Sequence, residues 1–429
     1  MDRIDIQRAK RFQGEFSPTP DKSISHRAVI FSSLSEGKSV IKNFLRAEDP
    51  FSTVNAFRAL GVDIDDADGD LTVHGKGIHG LKEAGDVIDC GNSGTTIRML
   101  SGILSGNPFF SVLTGDESLR GRPMARVITP LKQMGAEISA RADDRYPPLA
   151  IRGKKLKPVR YDMPFASAQV KSSILLAGLY AEGMTEIREP ARSRDHTERM
   201  LPAFGAEIIV DGLSVRIKGA PELKATEVYV PGDFSSAAFF IVGALLIENS
   251  DITIKGVGIN PTRTGLLDAL KEMGAQIELQ NVRTVSGEPI ADIHCRGGAE
   301  LKAINITKER IPALIDEFPI LCVAATQAEG VTTIRGAEEL RVKESDRIKS
   351  MATELGKMSV DLEEFEDGVS IRGRGGLKGA VIESYGDHRI AMAMTIAGLI
   401  ADGVTTINGV SSVNISFPGF FEIIGRLTS

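Results

Sequence analysis

Glu329-Gly330-Val331-Thr332-Thr333-Ile334 and Asp402-Gly403-Val404-Thr405-Thr406-Ile407 share one pattern: an acidic residue, a glycine turn, then a β-branched run that reads as a strand. Looser copies are Glu36-Gly37 leading to Ser39-Val40-Ile41, Ser105-Gly106, Glu182-Gly183-Met184-Thr185-Glu186-Ile187 and Glu248-Asn249. A second signature, Gly-Ala-acidic-Ile or close to it, occurs at Gly61-Val62-Asp63-Ile64, Gly135-Ala136-Glu137-Ile138, Gly205-Ala206-Glu207-Ile208, Gly274-Ala275-Gln276-Ile277 and, more loosely, at Gly356. Both recur roughly every 70 residues, so the chain reads as six repeated units.

Ahead of each glycine turn lies an apolar stretch: Ala28–Leu34, Thr96–Leu104, Val170–Leu179, Ala237–Leu245, Phe318–Ala325 and Ile390–Leu399. These are too long for strands and apolar nearly all round, which predicts buried helices. A more amphipathic helix, such as Thr129–Met134 or Thr264–Met273, follows each strand and ends at the second signature. Each unit therefore holds strands, one buried helix and one outer helix, an α/β organisation. Six units divide most economically into two domains of three, with the boundary at Val228-Tyr229-Val230-Pro231-Gly232-Asp233, where Pro and Gly separate a β-branched run from the next buried helix. An open solenoid would need polar caps, and the sequence shows none.

The bulk numbers agree. A chain of 429 residues exceeds one ordinary core. It is 42% apolar, 5% aromatic and free of Trp, which implies cores of Ala, Val, Ile, Leu and Gly. A net charge of −6 argues against nucleic-acid binding, which needs a basic stripe. Cys90, Cys295 and Cys322 lack CxxC spacing and fit a reducing compartment, and the six histidines show no ligand spacing. Residues 1–10 lack a secretory h-region, and no apolar run approaches the ~20 residues of a membrane span. The expected location is the cytoplasm.

The chemistry-bearing residues collect where the buried helices begin: Lys22-Ser23-Ile24-Ser25-His26-Arg27, Asn92-Ser93-Gly94-Thr95-Thr96, Ser167-Ala168-Gln169, Asp233-Phe234-Ser235-Ser236, Asp316-Glu317 and Asp387-His388-Arg389. Ser, Thr and Asp cap free N–H groups there, and helix starts favour phosphate. The outer helices begin with a basic set: Leu119-Arg120-Gly121-Arg122-Pro123, Arg192-Ser193-Arg194-Asp195-His196-Thr197, Arg263 and Arg341-Val342-Lys343-Glu344-Ser345-Asp346-Arg347. Taken singly, each has an ordinary reading. Gly94 suits a plain turn, Ser167 and Asp316 suit N-caps, Gln169 suits a packed helix end, and His26, His196 and His388 suit satisfied polar neighbours. Their coincidence at equivalent places in several repeats outweighs that reading, because independent decoration would scatter them. Arranged about a pseudo-threefold axis, these ends would make a cationic cleft in an acidic protein.

Lys22–Arg27, Gly91-Asn92-Ser93-Gly94-Thr95-Thr96-Ile97-Arg98, Leu119–Met124, Arg341–Arg347 and Gly386-Asp387-His388-Arg389 together resemble the motifs of the EPSP synthase family of enolpyruvyl transferases, in order, from about residue 7 to the C-terminus. The resemblance implies an α/β (α+β) fold: a two-domain inside-out α/β barrel, each domain made of three βαβαββ repeats with buried parallel helices. Residues 20–230 would form one domain, residues 1–19 and 231–429 the other, with the active site in the interdomain cleft and closure on substrate. It implies transfer of the enolpyruvyl group of phosphoenolpyruvate to the 5-hydroxyl of shikimate 3-phosphate, with phosphate released.

By motif, Lys22, Ser23, Arg27, Ser167, Ala168, Gln169, Arg194, Asp316 and Lys343 would hold shikimate 3-phosphate, and Lys22, Gly94, Arg122, Gln169, Arg347 and Arg389 phosphoenolpyruvate. Asp316 would be the base at the hydroxyl, with Lys22 and Glu344 the proton carriers at the methylene carbon. No metal or other cofactor is implied, and the chain is expected to act as a monomer on small molecules alone. The substrates bring two phosphates and two carboxylates, whose unpaired burial would be prohibitive. Lys22, Arg27, Arg122, Arg194, Lys343, Arg347 and Arg389 answer them, each close opposite pair contributing about 4 kcal/mol at an effective dielectric of 20.

Ala168 replaces a frequent second Ser, Arg194 stands near where another branch uses Tyr, and Val413-Asn414-Ile415-Ser416-Phe417-Pro418 lacks a common Lys. Gly94 leaves the space that the family's inhibitor glyphosate is said to need. Two rival readings differ in testable ways. The enolpyruvyl transferases of UDP-N-acetylglucosamine typically show Lys-Asn where Lys22-Ser23 stands and a Cys-bearing loop near Ser118–Arg122, where this chain has no Cys. A non-catalytic repeat scaffold would tolerate charge reversal at Lys22 or Arg122.

Overall fold

A computed structural model describes residues 2–67 and 69–429. The six apolar stretches are helices, Lys22–Leu34, Gly94–Ser105, Ala168–Gly178, Phe234–Leu246, Phe318–Gln327 and His388–Ile400, and nearly every residue beyond their first turn is buried. Such helices are stable only inside a core, because no face of them prefers water. All but the fifth begin earlier than the apolar runs suggest. Five of the six are entered through a capping side chain: Asp21, Ser93, Ser167, Asp233 and Asp387 each accept a backbone N–H of the first turn. The fifth helix instead follows Glu317 with Phe318-Pro319, a proline placed where its missing N–H costs nothing.

The strand after each glycine turn occupies the same place in its sheet. Glu36–Lys42, Phe110–Thr114, Met184–Arg188, Ser250–Gly258, Val331–Ile334 and Thr405–Asn408 each pair in parallel on one side and antiparallel on the other. Among the described residues, five sheets have four strands and the sixth has three, in which the N-terminal strand Arg3–Ile6 takes the antiparallel place. Among the described residues the sheets remain open and form no closed β-barrel, so helices lie inside and separate sheets flank them.

The chain divides into two units. One holds residues 20–231, the first three repeats, together with 284–288. The other holds residues up to Thr19, 232–283 and 289–429, the last three repeats. Each has its own apolar core. In the first-repeat unit, Gly102 lets two core helices approach closely: a Cβ there would stand 2.2 Å from the Ser173 carbonyl oxygen. In the other unit the N-terminal strand Phe12–Phe16 is held by aromatic packing, with the Phe16 and Phe240 rings 4.5 Å apart, and Phe240 in turn meets Phe417 tilted and Phe420 edge-on. Residues 284–288, the turn of the Ile277–Val285 and Glu288–Arg296 hairpin, group with the first three repeats. There Ser286 Oγ accepts the Tyr229 N–H at 2.9 Å, and Glu288 pairs with buried His196 at 2.8 Å. The repeat pattern does not anticipate that excursion.

Candidate functional site

Helix beginnings from all three repeats meet in the first-repeat unit. The Lys22 ammonium lies 3.1 Å from Asp49 Oδ2. His26 Nδ1, Thr53, Thr96 and the cap residue Ser93 form a chain with steps of 2.7, 2.7 and 2.8 Å, tying the first core helix to the second. Burial first, then Lys22 and Arg27, holds the His26 imidazole well below the ordinary histidine range. It is therefore neutral and positions the helix start.

Gly94 opens the second core helix, and its missing side chain leaves room in front of two guanidinium groups. A Cβ would lie 3.2 Å from Arg98 Nη1 and 3.3 Å from Arg122 Nη1. Arg122 Nη2 donates to Asn92 Oδ1 at 2.7 Å, Arg98 donates to Gln169 Oε1, and Gln169 Nε2 donates to Thr95 Oγ1 at 2.9 Å. Arg27 spans to the third repeat, donating to Thr197 Oγ1 at 2.8 Å and Ser172 Oγ at 2.9 Å. Lys22, Ser23, Arg27, Gly94, Arg122, Ser167, Ala168, Gln169 and Arg194 all stand at or beside these helix starts.

A second cluster forms in the other unit around Arg347, only 1% exposed. Its Nε lies 2.8 Å from Asp387 Oδ2, Nη2 2.7 Å from Glu344 Oε2 and Nη1 3.3 Å from Asp316 Oδ1. Burial alone would pull this guanidinium down. Asp387, Glu344 and Asp316 outweigh it and raise it above the ordinary arginine range. Arg347 in turn holds buried Asp387 below the usual carboxylate range against the opposing effect of burial. Arg389 Nη2 reaches Asp316 Oδ2 at 3.4 Å, and its Nη1 donates to the Asp316 carbonyl at 3.1 Å. Lys343 is half-buried. Loss of solvent pulls its ammonium below the ordinary lysine range, while Asp316 and Glu344 pull it back. Asp316, the segment Lys343–Arg347 and Arg389, three places distant in sequence, thus form one network. All three nitrogens of Arg347 are committed to carboxylates, so its first task here is to fix them.

Asp49 and Ser172 join these clusters without having been named by sequence, while Arg98, Asp387 and Thr197 stood inside quoted motifs without a substrate or catalytic role. Arg98 was the most findable, a lone cation in the second turn of an otherwise apolar helix. Asp63, Asp65 and His74 also converge, on the exposed strands Asp63–Ala67 and Asp70–Lys76, because the hairpin register sets Asp63 opposite His74. Spacing along the chain hides that. A hollow of about 670 Å³ between residues 4–11 and the helix Phe420–Thr428 contains none of the predicted site residues.

This fold, with cationic and carboxylate groups gathered at helix starts, defines a protein that holds small polyanions beside acid–base groups. The family model for EPSP synthase (3-phosphoshikimate 1-carboxyvinyltransferase) matches residues 6–424. The 3-phosphoshikimate 1-carboxyvinyltransferase of Thermodesulfovibrio yellowstonii is 56% identical over 429 residues, covering 100% of both chains. That of a Geobacter species is 53% identical over 424 residues, covering 99% of each. A solved EPSP synthase from Acinetobacter baumannii superposes with a TM-score of 0.90 at 48% identity, covering 100% of this chain and 98% of the other. The chain belongs to the EPSP synthase family.

Proposed function

We propose that the chain transfers the 1-carboxyvinyl group of phosphoenolpyruvate to the 5-hydroxyl of shikimate 3-phosphate, a step of aromatic amino-acid biosynthesis, and that both side-chain clusters act on this one pair of substrates. Family membership over nearly the whole chain carries the reading. The network of Asp316, Glu344, Arg347, Asp387 and Arg389 supplies acid–base groups suited to it.

Asp316 takes the 5-hydroxyl proton as that oxygen bonds to C2 of phosphoenolpyruvate, while Lys22 or Glu344 delivers a proton to C3. The tetrahedral adduct then loses a C3 proton to the same group, the C2–O bond to phosphate breaks as Asp316 returns its proton to the departing phosphate, and the double bond returns. No electron changes hands, so the balanced reaction calls for no redox partner. Arg389 and Arg347 pair with Asp316 and hold it in place. Lys22, Gly94, Arg122, Gln169, Arg347 and Arg389 hold phosphoenolpyruvate. Ser23, Arg27, Ser167, Gln169, Arg194 and Lys343 hold shikimate 3-phosphate, with Ala168 contributing backbone. Arginine forks match phosphate and carboxylate oxygens two at a time. No helix among the described residues is long and apolar enough to cross a membrane, and we read the protein as a cytoplasmic monomer.

The test is phosphate release from phosphoenolpyruvate in the presence of shikimate 3-phosphate, with the UDP-amino sugar as the control acceptor. Release that ignores shikimate 3-phosphate, or that follows the UDP-sugar, overturns the reading. Asp316→Ala is expected to abolish turnover while shikimate 3-phosphate still binds. Near-normal turnover would remove Asp316 from the mechanism.

A further inference from the structure

Lys171 lies in the core helix Ala168–Gly178, two residues past Gln169, and is 1% exposed. An ammonium buried there needs compensation. Glu189 Oε2 lies 2.8 Å from its Nζ and Glu198 Oε1 2.7 Å, and both carboxylates are themselves buried. Burial would pull Lys171 down, but Glu198 and Glu189 outweigh it and keep the ammonium charged. None of the three has a part in the chemistry above, and a buried charge triad is seldom cheaper than apolar packing of the same volume.

The triad controls its surroundings. Glu189 and Glu198 bracket the segment that carries Arg194, one just after the strand Met184–Arg188 and the other within the helix His196–Met200. Glu189 Oε1 accepts the Ser193 N–H at 3.3 Å and the Ser193 hydroxyl, and Lys171 donates to the Ser193 carbonyl at 3.5 Å. The residue before Arg194 is thereby pinned from both sides. One position along each chain from the Lys171–Glu198 pair, Ser172 Oγ and Thr197 Oγ1 stand 2.7 Å apart. These are the two hydroxyls that receive the Arg27 guanidinium.

We propose that Lys171, Glu189 and Glu198 are positioning residues that set Arg27 and Arg194 for shikimate 3-phosphate, and so govern affinity for that substrate and not for phosphoenolpyruvate. Arg27 and Arg194 are near enough to oppose each other's charge. Burial first lowers the Arg27 guanidinium to about 10; Arg194 adds to that, while Glu198, Asp21 and Glu288 oppose it. Two cationic forks kept close by a rigid frame favour an anion with oxygens for both. The triad, one cation against two carboxylates, leaves one negative charge beneath them that offsets part of their repulsion.

The inference rests on the proposed function, so the wild-type assay comes first and stands alone: loss of shikimate 3-phosphate dependence there sinks the function, not the positioning role. Glu198→Gln keeps the shape and removes one charge. Its expected effect is a rise of about tenfold or more in the KM and binary Kd for shikimate 3-phosphate, with the KM for phosphoenolpyruvate within about twofold. In an Arg27→Ala background the same change should add less than about twofold, because coupled residues do not act additively. Glu189→Gln, which leaves the Lys171–Glu198 pair intact, should give the same selective effect if Glu198→Gln does not fold. Unchanged affinity for shikimate 3-phosphate, or an equal rise in both KM values, overturns the proposal. Failure of both variants to fold also overturns it, by making the triad a folding element.

Discussion

Gly94 shows how much one missing side chain can decide. Its place at the first turn of a core helix would suit Ala, which is a better helix former. The cost of Ala lies in front of the helix, where a methyl group would crowd Arg98 Nη1 at 3.2 Å and Arg122 Nη1 at 3.3 Å. Both contacts are far ends of flexible side chains, so Gly94→Ala should fold normally. The guanidinium groups must shift by a few tenths of an ångström, enough to spoil a two-point contact with a small anion. The expected outcome is a KM for phosphoenolpyruvate raised about tenfold, with binary binding of shikimate 3-phosphate little changed. Steady-state kinetics on both substrates would check this, and an unaltered phosphoenolpyruvate KM would mean that Gly94 does not face that substrate. The sequence marks Gly94 through its motif, but the reason for a glycine, Arg98 one turn along the same helix meeting Arg122 from the loop before the helix Ala125–Gln133, exists only in three dimensions.

At the scale of elements, the repeat was legible because its turns need backbone that few residues adopt. Gly61, Gly135, Gly205 and Gly274 all have positive φ at the end of an outer helix, the conformation that stops a helix most easily when no Cβ is present. The fifth copy departs from the expectation. Gly356 lies inside the helix Arg347–Lys357, and the left-handed residue is Ser359 at φ 70. The signature drifted there because a serine can be forced into that conformation at a cost of about 1 kcal/mol. Ser359→Gly should recover that cost and raise the urea midpoint, while Gly135→Ala, at φ 97, should lower it. A Ser359→Gly protein no more stable than the wild type would show that the serine side chain repays its strain locally. Helix starts were legible for a similar reason, since caps are chemically restricted. Asp49 and Ser172 were not, because their importance comes from partners distant along the chain, Lys22 at 3.1 Å in the same repeat and Arg27 at 2.9 Å in another, and no local pattern announces such pairing.

For the whole molecule, an acidic chain of net charge −6 places cations and carboxylates so that few buried charges stand alone, and its response to acid follows from the exceptions. His26 is buried with its imidazole held well below 6.5. An unfolded chain takes up a proton there near 6.5 and the folded one does not. Stability from this group is therefore complete above pH 6.5 and is lost as pH falls below it, by about 1.4 kcal/mol per pH unit for one proton. Carboxylates held low by partners, such as Asp387 against Arg347 and Asp66 against Arg46, act in the same direction but only below their unfolded value of 3.8. Urea midpoints should accordingly begin to decline below pH 6.5, well before the carboxylates titrate. His26→Gln, which keeps a polar partner for Thr53, should flatten the curve between about pH 6.5 and 5 and leave the steep loss at lower pH. Parallel curves for the two proteins through that window would show that His26 gains a proton in the folded state, and that the link from His26 through Thr53 and Thr96 to Ser93 tolerates a charge.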